Sequence, residues 1–241
     1  AAASVTVPAS VYNNIQAADV VTISVTNSDN IASNTVTKTA TGLPTGGTVT
    51  TSGSYRIHSF TSGGTFVVPT GTTLTNVEYL VVAGGGGGGG SQQGHQGGGG
   101  GAGGLRTSVV GATSGRGSSA EARQTITAGS YTVTIGQGGG GSAPGDRGGD
   151  GSNSTFNGIT SIGGGGGGNG QNNGTARSGG DGGCGGGSGS SDQSFPSRAS
   201  GTAGQGYDGG LPTQQGSGRG GAGGGAGAQG TDPPSGGVPS G

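Results

Sequence analysis

Apolar and polar residues alternate in short segments of the first third of the chain, as they do in half-buried strands. Between Val20 and Thr26, the apolar residues Val21, Ile23 and Val25 stand at every second position. No segment of the chain shows a convincing helical period, so we expect essentially no α-helix. The same reasoning predicts further strands over residues 4–7, 35–39, 55–60, 64–69 and 77–82.

Glycine dominates the chain from Gly84 onward and accounts for 69 of the 241 residues. Only 25% of the residues are hydrophobic and 8% are charged. Since an ordinary domain is nearly half apolar and about a quarter charged, this chain cannot build an apolar core along its whole length. The glycine runs cover residues 84–90, 97–104, 138–141, 148–151, 163–168, 179–187, 204–206 and 216–230.

Three inserts between the glycine runs still have the composition of strands. Residues 105–110 and 124–135 are predicted to form a hairpin, and Tyr131, Val133 and Ile135 would share one face of its second strand. Residues 155–162 are another short apolar piece. A flexible linker, the usual interpretation of glycine-rich sequence, has no need of such strands.

Collagen is also excluded, because it requires glycine at every third position together with abundant proline. The remaining structure is polyglycine II, an extended left-handed helix of three residues per turn. This helix makes no internal hydrogen bonds, so its N–H and C=O groups must bond to neighbouring helices. Without Cβ atoms, such helices can approach one another closely enough to do so.

The sequence therefore predicts an all-β chain with polyglycine II and two domains. Residues 1–50 are expected to form an N-terminal β attachment module. Residues 51–241 are expected to form a glycine-rich domain, in which a β-rich base carries a bundle of packed polyglycine helices. Between the two, residues 42–47 read Gly-Leu-Pro-Thr-Gly-Gly, which has the composition of a turn and marks a candidate hinge.

If consecutive runs alternate in direction, the inserts sort by chemistry. Strand-forming inserts fall at the base, and residues 188–203 with Phe195 are assigned there too. Polar inserts fall at the opposite, distal end, over residues 91–96, 142–147, 169–178 and 207–215. Binding sites commonly lie on loops held by a rigid scaffold. The candidate contact residues are Gln92, Gln93, His95, Gln96, Arg147, Asn172, Asn173, Arg177, Tyr207, Gln214 and Gln215.

Other chemistry is poorly represented. A formal net charge of −1 provides no basic patch for nucleic acid, and no apolar stretch is long enough to cross a membrane. Neither His58 nor His95 stands in a catalytic constellation, so we expect no enzyme, no cofactor and no metal site. Cys184 is interpreted as a small space-filler. Asp146, Asp150, Asp181 and Asp208 are interpreted as solvated turn residues, with calcium binding as the alternative.

Parts of the chain resemble the glycine-rich domain of tailed-phage tail fibre and virion proteins. The most specific part is the junction Val-Glu-Tyr-Leu-Val-Val-Ala at 77–83, which leads into the first glycine run. The resemblance covers residues 54 to about 230 and is similar in style to the polyglycine tip adhesins of T-even-like phages. It is carried by residues 55–69, 77–85, 98–105 with Arg106, 131–136 and 151–156.

This resemblance implies a non-enzymatic virion fibre or tail protein on the outer surface of the particle. Its distal loops would bind a bacterial surface receptor, either an outer-membrane protein or a polysaccharide. Residues 1–50 would contact other virion proteins, and a homotrimer is left open. No nucleic-acid partner and no membrane insertion are expected. The alternative is a structural decoration or head-fibre protein without a receptor role.

Overall fold

The computed structural model describes residues 20–26, 32–39, 42–171, 177–192, 195–213 and 218–234. The segment predicted as a strand at 4–7 lies outside these residues. The described residues contain no α-helix, only one short 3-10 helix, so the predicted all-β class is confirmed. The elements are β1 (Val20–Thr26), β2 (Ala32–Thr39), β3 (Thr48–Ser52), β4 (Tyr55–Ser59), β5 (Gly64–Val77), β6 (Leu80–Val82), β7 (Leu105–Thr107), η1 (Gly115–Gly117), β8 (Gln124–Thr134), β9 (Ser154–Phe156) and β10 (Ile159–Ser161).

Two antiparallel hairpins open the described chain. The first pairs β1 with β2, and these strands include the segments predicted at 20–26 and 35–39. The second pairs β3 with β4, although β3 was not predicted. The proposed domain boundary between residues 50 and 51 falls inside β3 and stays a prediction.

A four-stranded antiparallel sheet in the order β10-β9-β8-β5 holds the apolar core of the base. Phe66 and Val68 of β5 pack against Ile126 and Val133 of β8, and all four side chains are buried. Fully burying a side chain of this kind stabilises the fold by about 1.5–3 kcal/mol. The aromatic ring of Phe156 from β9 packs edge-on against Phe66, with 5.9 Å between the ring centroids.

The predicted hairpin between residues 105–110 and 124–135 is wrong. Strand β8 pairs with β5 and β9, while β7 pairs with β6. The reason lies in the glycine runs that continue β6 and precede β7. These two runs lie antiparallel, with Gly86 donating to Gly101 and Gly89 to Gly98, so the strands that flank them extend the same pairing.

Hydrogen bonds between glycine runs recur at every third residue. The amides of Gly164, Gly167 and Gly170 donate to the carbonyls of the first run at positions 84, 87 and 90. Among the described glycines of the runs named above, only Gly204 has a positive φ, of 75°. A repeat of three is what packed threefold helices would produce, and polyglycine II remains our interpretation of these runs.

The run 163–170 lies at the centre of the bundle, and every one of its residues is buried. It donates hydrogen bonds to the runs 84–90 and 184–191 and accepts them from three others. A Cβ at Gly163 or Gly166 would overlap the run 146–152, one at Gly164 or Gly167 the run 97–104, and one at Gly165 the run 177–182. Every face of residues 163–167 therefore requires glycine, whereas Asn169, close to the distal end, is accommodated.

The chain path differs from simple alternation in three places, which are near Gly183, between the runs 184–191 and 197–202, and after Gly225. Residues 179–187 were treated as one run, but the chain reverses near Gly183: Gly183 donates to Gly163, whereas Gly165 donates to Cys184. A third reversal follows Gly225, whose amide bonds to Ala228. The resulting runs are 84–90, 97–104, 136–142, 146–152, 163–170, 177–182, 184–191, 197–202, 206–213, 218–225 and 228–232.

Candidate functional site

A polar cluster fixes the junction between the β base and the bundle. The Tyr79 hydroxyl donates to Glu121 over 2.7 Å, and the Arg106 guanidinium makes two further hydrogen bonds of 2.7 Å to the same carboxylate. Burial and then the Glu121 hydrogen bond raise the pKa of Tyr79 to about 12. The hydrogen bond from Arg106 holds the pKa of Glu121 below its ordinary value. The cluster thus connects the segments of β6 and β7 at the base, where the first glycine run begins and the second one ends.

The distal end opposite this junction begins with a tight hairpin turn. The backbones of Gln92 and His95 exchange two hydrogen bonds of 3.0 Å. Between them, Gln93 and Gly94 both have positive φ, 46° and 86°, as a type I′ turn requires. This turn presents Gln93 and Gln96 to solvent, whereas the His95 side chain is only 6% exposed.

A second distal turn reverses the chain between the runs 136–142 and 146–152. The backbone amide of Asp146 donates to the Ala143 carbonyl over 3.1 Å, and Gly145 has a φ of 86°. The Gly145 carbonyl accepts hydrogen bonds from the side-chain amides of Asn169, at 2.7 Å, and Gln171, at 3.2 Å. Side chains of a neighbouring run therefore hold this turn in place.

Buried serines tie together the distal ends of further runs. The Ser190 hydroxyl lies 2.7 Å from the Gly218 carbonyl and 3.2 Å from that of Gln96, and it also accepts the Gln96 amide at 2.9 Å. The Ser188 hydroxyl donates to the Ser197 carbonyl over 2.8 Å. Because each serine joins separate segments of chain, the distal turns are fixed relative to one another.

The predicted contact residues are distributed unevenly over this end. Gln93, Gln96 and Arg177 are exposed, and Gln92 is half-buried. Arg147 starts at the distal end, but its guanidinium forms an ion pair with Asp150, three residues further along the returning run. Asn172, Asn173, Gln214 and Gln215 lie outside the described residues.

Tyr207 does not lie at the distal end. Its carbonyl accepts from Gly185, close to the reversal at Gly183, and Arg116 of the base lies 5.6 Å from the centre of its ring. Arg116 also forms a salt bridge of 3.2 Å with Asp208. Residues 207–215 were treated as one distal insert, but residues 206–213 form a run that begins at the base and reaches the distal end only near Thr213.

Phe195 is the distal residue that sequence reasoning placed at the wrong end. The run 184–191 leads away from the base, so the turn that follows it is distal, and the Phe195 side chain is 49% exposed there. The signal that could have located it is weak. Cys184 interrupts the glycine run close to the reversal. However, a polyglycine chain can reverse without any special residue, so the interruption does not by itself indicate a turn.

Most of the aspartates predicted to be solvated turn residues instead accept hydrogen bonds from the backbone of neighbouring segments. Carboxylate oxygens of Asp150, Asp181 and Asp208 accept backbone amides of Gly166, Ser200 and Gly201 at 2.6–2.9 Å. They substitute for carbonyls where no neighbouring run supplies one. Among the described residues, no group of three His, Cys, Asp or Glu residues could hold a metal ion, and no helix is long and apolar enough to cross a membrane.

The fold and its two ends define an all-β, glycine-rich protein with a hydrogen-bonded bundle between a β base and a set of polar turns. Residues 61–241 match the model of a family described as a glycine-rich domain. This match covers more than half of the chain, which therefore belongs to that family. No curated protein and no solved structure matches the chain significantly.

Proposed function

We propose that this chain is a non-enzymatic fibre or tail protein of a phage particle, whose glycine bundle presents the distal turns to a receptor on a bacterial surface. The observation that carries the proposal is the collection of Gln93, Gln96, Arg177 and Phe195 at one end, opposite the β base. The resemblance of residues 55–69 and 77–85 to phage fibre and virion domains points the same way.

The rigidity of the bundle supports this role. Fixing glycine costs more backbone entropy than fixing any other residue, while each hydrogen bond contributes only about 1 kcal/mol net. When this entropy cost is offset over so many residues by hydrogen bonds between the runs, the result is a rigid bundle whose two ends keep fixed positions. A flexible tether with the same reach would need no such hydrogen bonds.

The opposite end of the molecule has a different surface. All but one of the exposed large apolar side chains among the described residues lie in the β base or its flanking loops, including Leu43, Tyr55, Leu80 and Val110. Tyr55 and Ile57 of β4, and Leu80 and Val82 of β6, are exposed at alternate positions, so each strand presents two apolar side chains on one face. Contiguous apolar surface marks sites of contact with other proteins. We therefore assign attachment to the particle to the base end, where residues 1–50 also join the chain.

A charge-reversal pair tests the receptor role. Arg177 at the distal end and Arg56 on β4 are both exposed, and neither forms a salt bridge among the described residues. Fluorescently labelled protein would be titrated onto a panel of Gram-negative and Gram-positive cells. On a strain that binds, we expect Arg177→Glu to weaken binding at least tenfold and the matched control Arg56→Glu to leave it unchanged.

Two results would count against the proposal. Saturable binding to no strain at all would favour the alternative of a structural decoration protein, which should instead bind phage particles. Equal losses for the two variants would show that binding does not depend on the distal end.

A further inference from the structure

The distal end of one chain is small for a protein-binding surface. Hydrogen-bonded chains lie about 4.8 Å apart, so a bundle of about eleven runs has a cross-section of roughly 250 Å². Even if the relief of the turns doubles this area, it remains below the roughly 800 Å² that each partner contributes to a standard protein interface. The distal face therefore suits a ligand that is small or that binds a few units at a time.

Phe195 is the apolar feature of this face. It is the one large apolar side chain that the described part of the distal end exposes. The next residue, Pro196, is buried, and the Ser197 carbonyl accepts the Ser188 hydroxyl at 2.8 Å. The segment that carries the ring is thus hydrogen-bonded to the run 184–191.

Hydrogen bonds link the segments on either side of Phe195 to segments that carry exposed polar side chains. The hydroxyls of Ser178 and Ser197 lie 2.9 Å apart, which joins the segment after Phe195 to the exposed Arg177. Ser190, in the run leading to Phe195, is bonded to the backbone of the exposed Gln96. An aromatic ring at the same end of the bundle as exposed amide and guanidinium groups matches a sugar ring, which offers apolar C–H faces and hydroxyls at its rim.

The charges of the distal end do not favour a strongly ionic ligand. Arg177 and Arg219 are exposed there, but so are Asp146 and Asp192, and none of the four takes part in a salt bridge among the described residues. Positive and negative groups are thus balanced. This balance, like the small area, favours a largely uncharged, hydroxyl-rich ligand.

We infer that Phe195 is a stacking platform for a sugar ring of a bacterial surface polysaccharide, with Gln96 and Arg177 hydrogen-bonding to its hydroxyls. This inference rests on the proposed receptor role. A site of this size binds one repeat weakly, and a polysaccharide compensates because its repeats engage several copies of the protein on one particle.

The test uses a strain to which the labelled chain binds. Cells would be treated either with periodate, which cleaves vicinal diols of sugars, or with proteinase K, which removes exposed protein. We expect periodate to abolish binding and proteinase K to leave it intact. Polysaccharide extracted from the same strain should compete for binding.

Variants of Phe195 test the stacking geometry. We expect Phe195→Ala and Phe195→Leu each to lose at least tenfold in affinity for the extracted polysaccharide, because leucine is apolar but has no planar face. Val110→Ala, which changes the exposed apolar side chain of a base loop, is the control and should stay within twofold. Unchanged thermal melting of each variant would show that the fold is intact.

The outcomes separate this inference from the function on which it rests. Binding that proteinase K removes and periodate spares would overturn the polysaccharide assignment and leave the receptor role standing. A Phe195→Leu variant that binds like the parent would overturn stacking. If no strain binds the chain, the receptor role fails and this inference fails with it.

Discussion

The packing of the central run leads to a sharp prediction about two glycines that differ in their surroundings alone. Gly167 lies in the buried run 163–170, whereas Gly140 lies in the edge run 136–142. Neither has a positive φ. A Cβ at Gly167 would overlap the Gly98 carbonyl oxygen and stand 2.7 Å from the Gly89 nitrogen and the Gly98 carbonyl carbon, while one at Gly140 would meet nothing within 4 Å.

The magnitude follows from this crowding. Ordinary contacts between heavy atoms are about 3.5–4.0 Å, so Gly167→Ala forces neighbouring runs back by roughly 0.8 Å or more. Overpacking of this kind costs about 1–3 kcal/mol, and each interrun hydrogen bond that is lost costs about 1 kcal/mol more. We therefore expect a destabilisation of about 3–5 kcal/mol. Gly140→Ala should instead stabilise by about 0.4–1 kcal/mol, because alanine restricts the unfolded chain.

Thermal unfolding measures the difference. For a chain of this size, each kcal/mol moves Tm by about 2–4 °C, so Gly167→Ala should melt roughly 6–20 °C below the parent. Gly140→Ala should melt at or slightly above the parent. Equal melting temperatures for the two variants would refute the claim that the central run is packed on all sides.

Three further predictions concern the polar cluster of Tyr79, Arg106 and Glu121 and the buried thiol of Cys184. Because the pKa of Tyr79 is raised from 10.0 to about 12, the fold should lose stability as pH rises from about 10 to 12. The Tyr79→Phe variant should lack this loss, and identical alkaline melting curves for the two proteins would contradict the prediction. Because the pKa of Glu121 is lowered, the contribution of this carboxylate to the stability of the fold should be present above about pH 4.5 and lost as pH falls further. Melting curves recorded at acid pH should therefore depend less on pH for Glu121→Gln than for the parent. Cys184 is 0% exposed, and burial raises the pKa of its thiol, so this thiol should react with an aromatic disulfide only when the protein unfolds. The exposed thiol introduced by Val110→Cys is the control and should react in the native protein. Rapid reaction of Cys184 in the native protein would contradict its buried position.

Alternation of apolar residues was enough to locate most strands of the base. The segment 124–135 was predicted almost to the residue, because Ile126 and Val133 both point into the core. Strand β3 was missed because Thr48–Ser52 is mostly threonine and serine, and all of its residues are exposed. Its strand conformation depends on pairing with β4, which a local pattern does not reveal.

The polar turns were predictable only as far as the chain path could be followed. The turn at 91–96 was located correctly because the flanking runs are unambiguous. Phe195 was assigned to the base because the chain reverses at Gly183, where the sequence carries no turn signal. Tyr207 was assigned to the distal end because residues 206–213, which form a run, were taken for part of a loop. The burial of His95 also escaped prediction, since it depends on packing against neighbouring runs that lie far away in sequence.

Amide hydrogen exchange of the glycine runs tests the central claim most directly, because it distinguishes a packed, hydrogen-bonded bundle from a flexible linker. Within the run 163–170, five amides donate to the runs 84–90 and 184–191, namely those of Gly164, Gly165, Gly167, Gly168 and Gly170. We predict that these amides exchange only through opening of the whole bundle. They should be as strongly protected as the core strands β5 and β8. Exchange of these glycine amides at the rate of an unstructured chain, while β5 and β8 remain protected, would contradict the account.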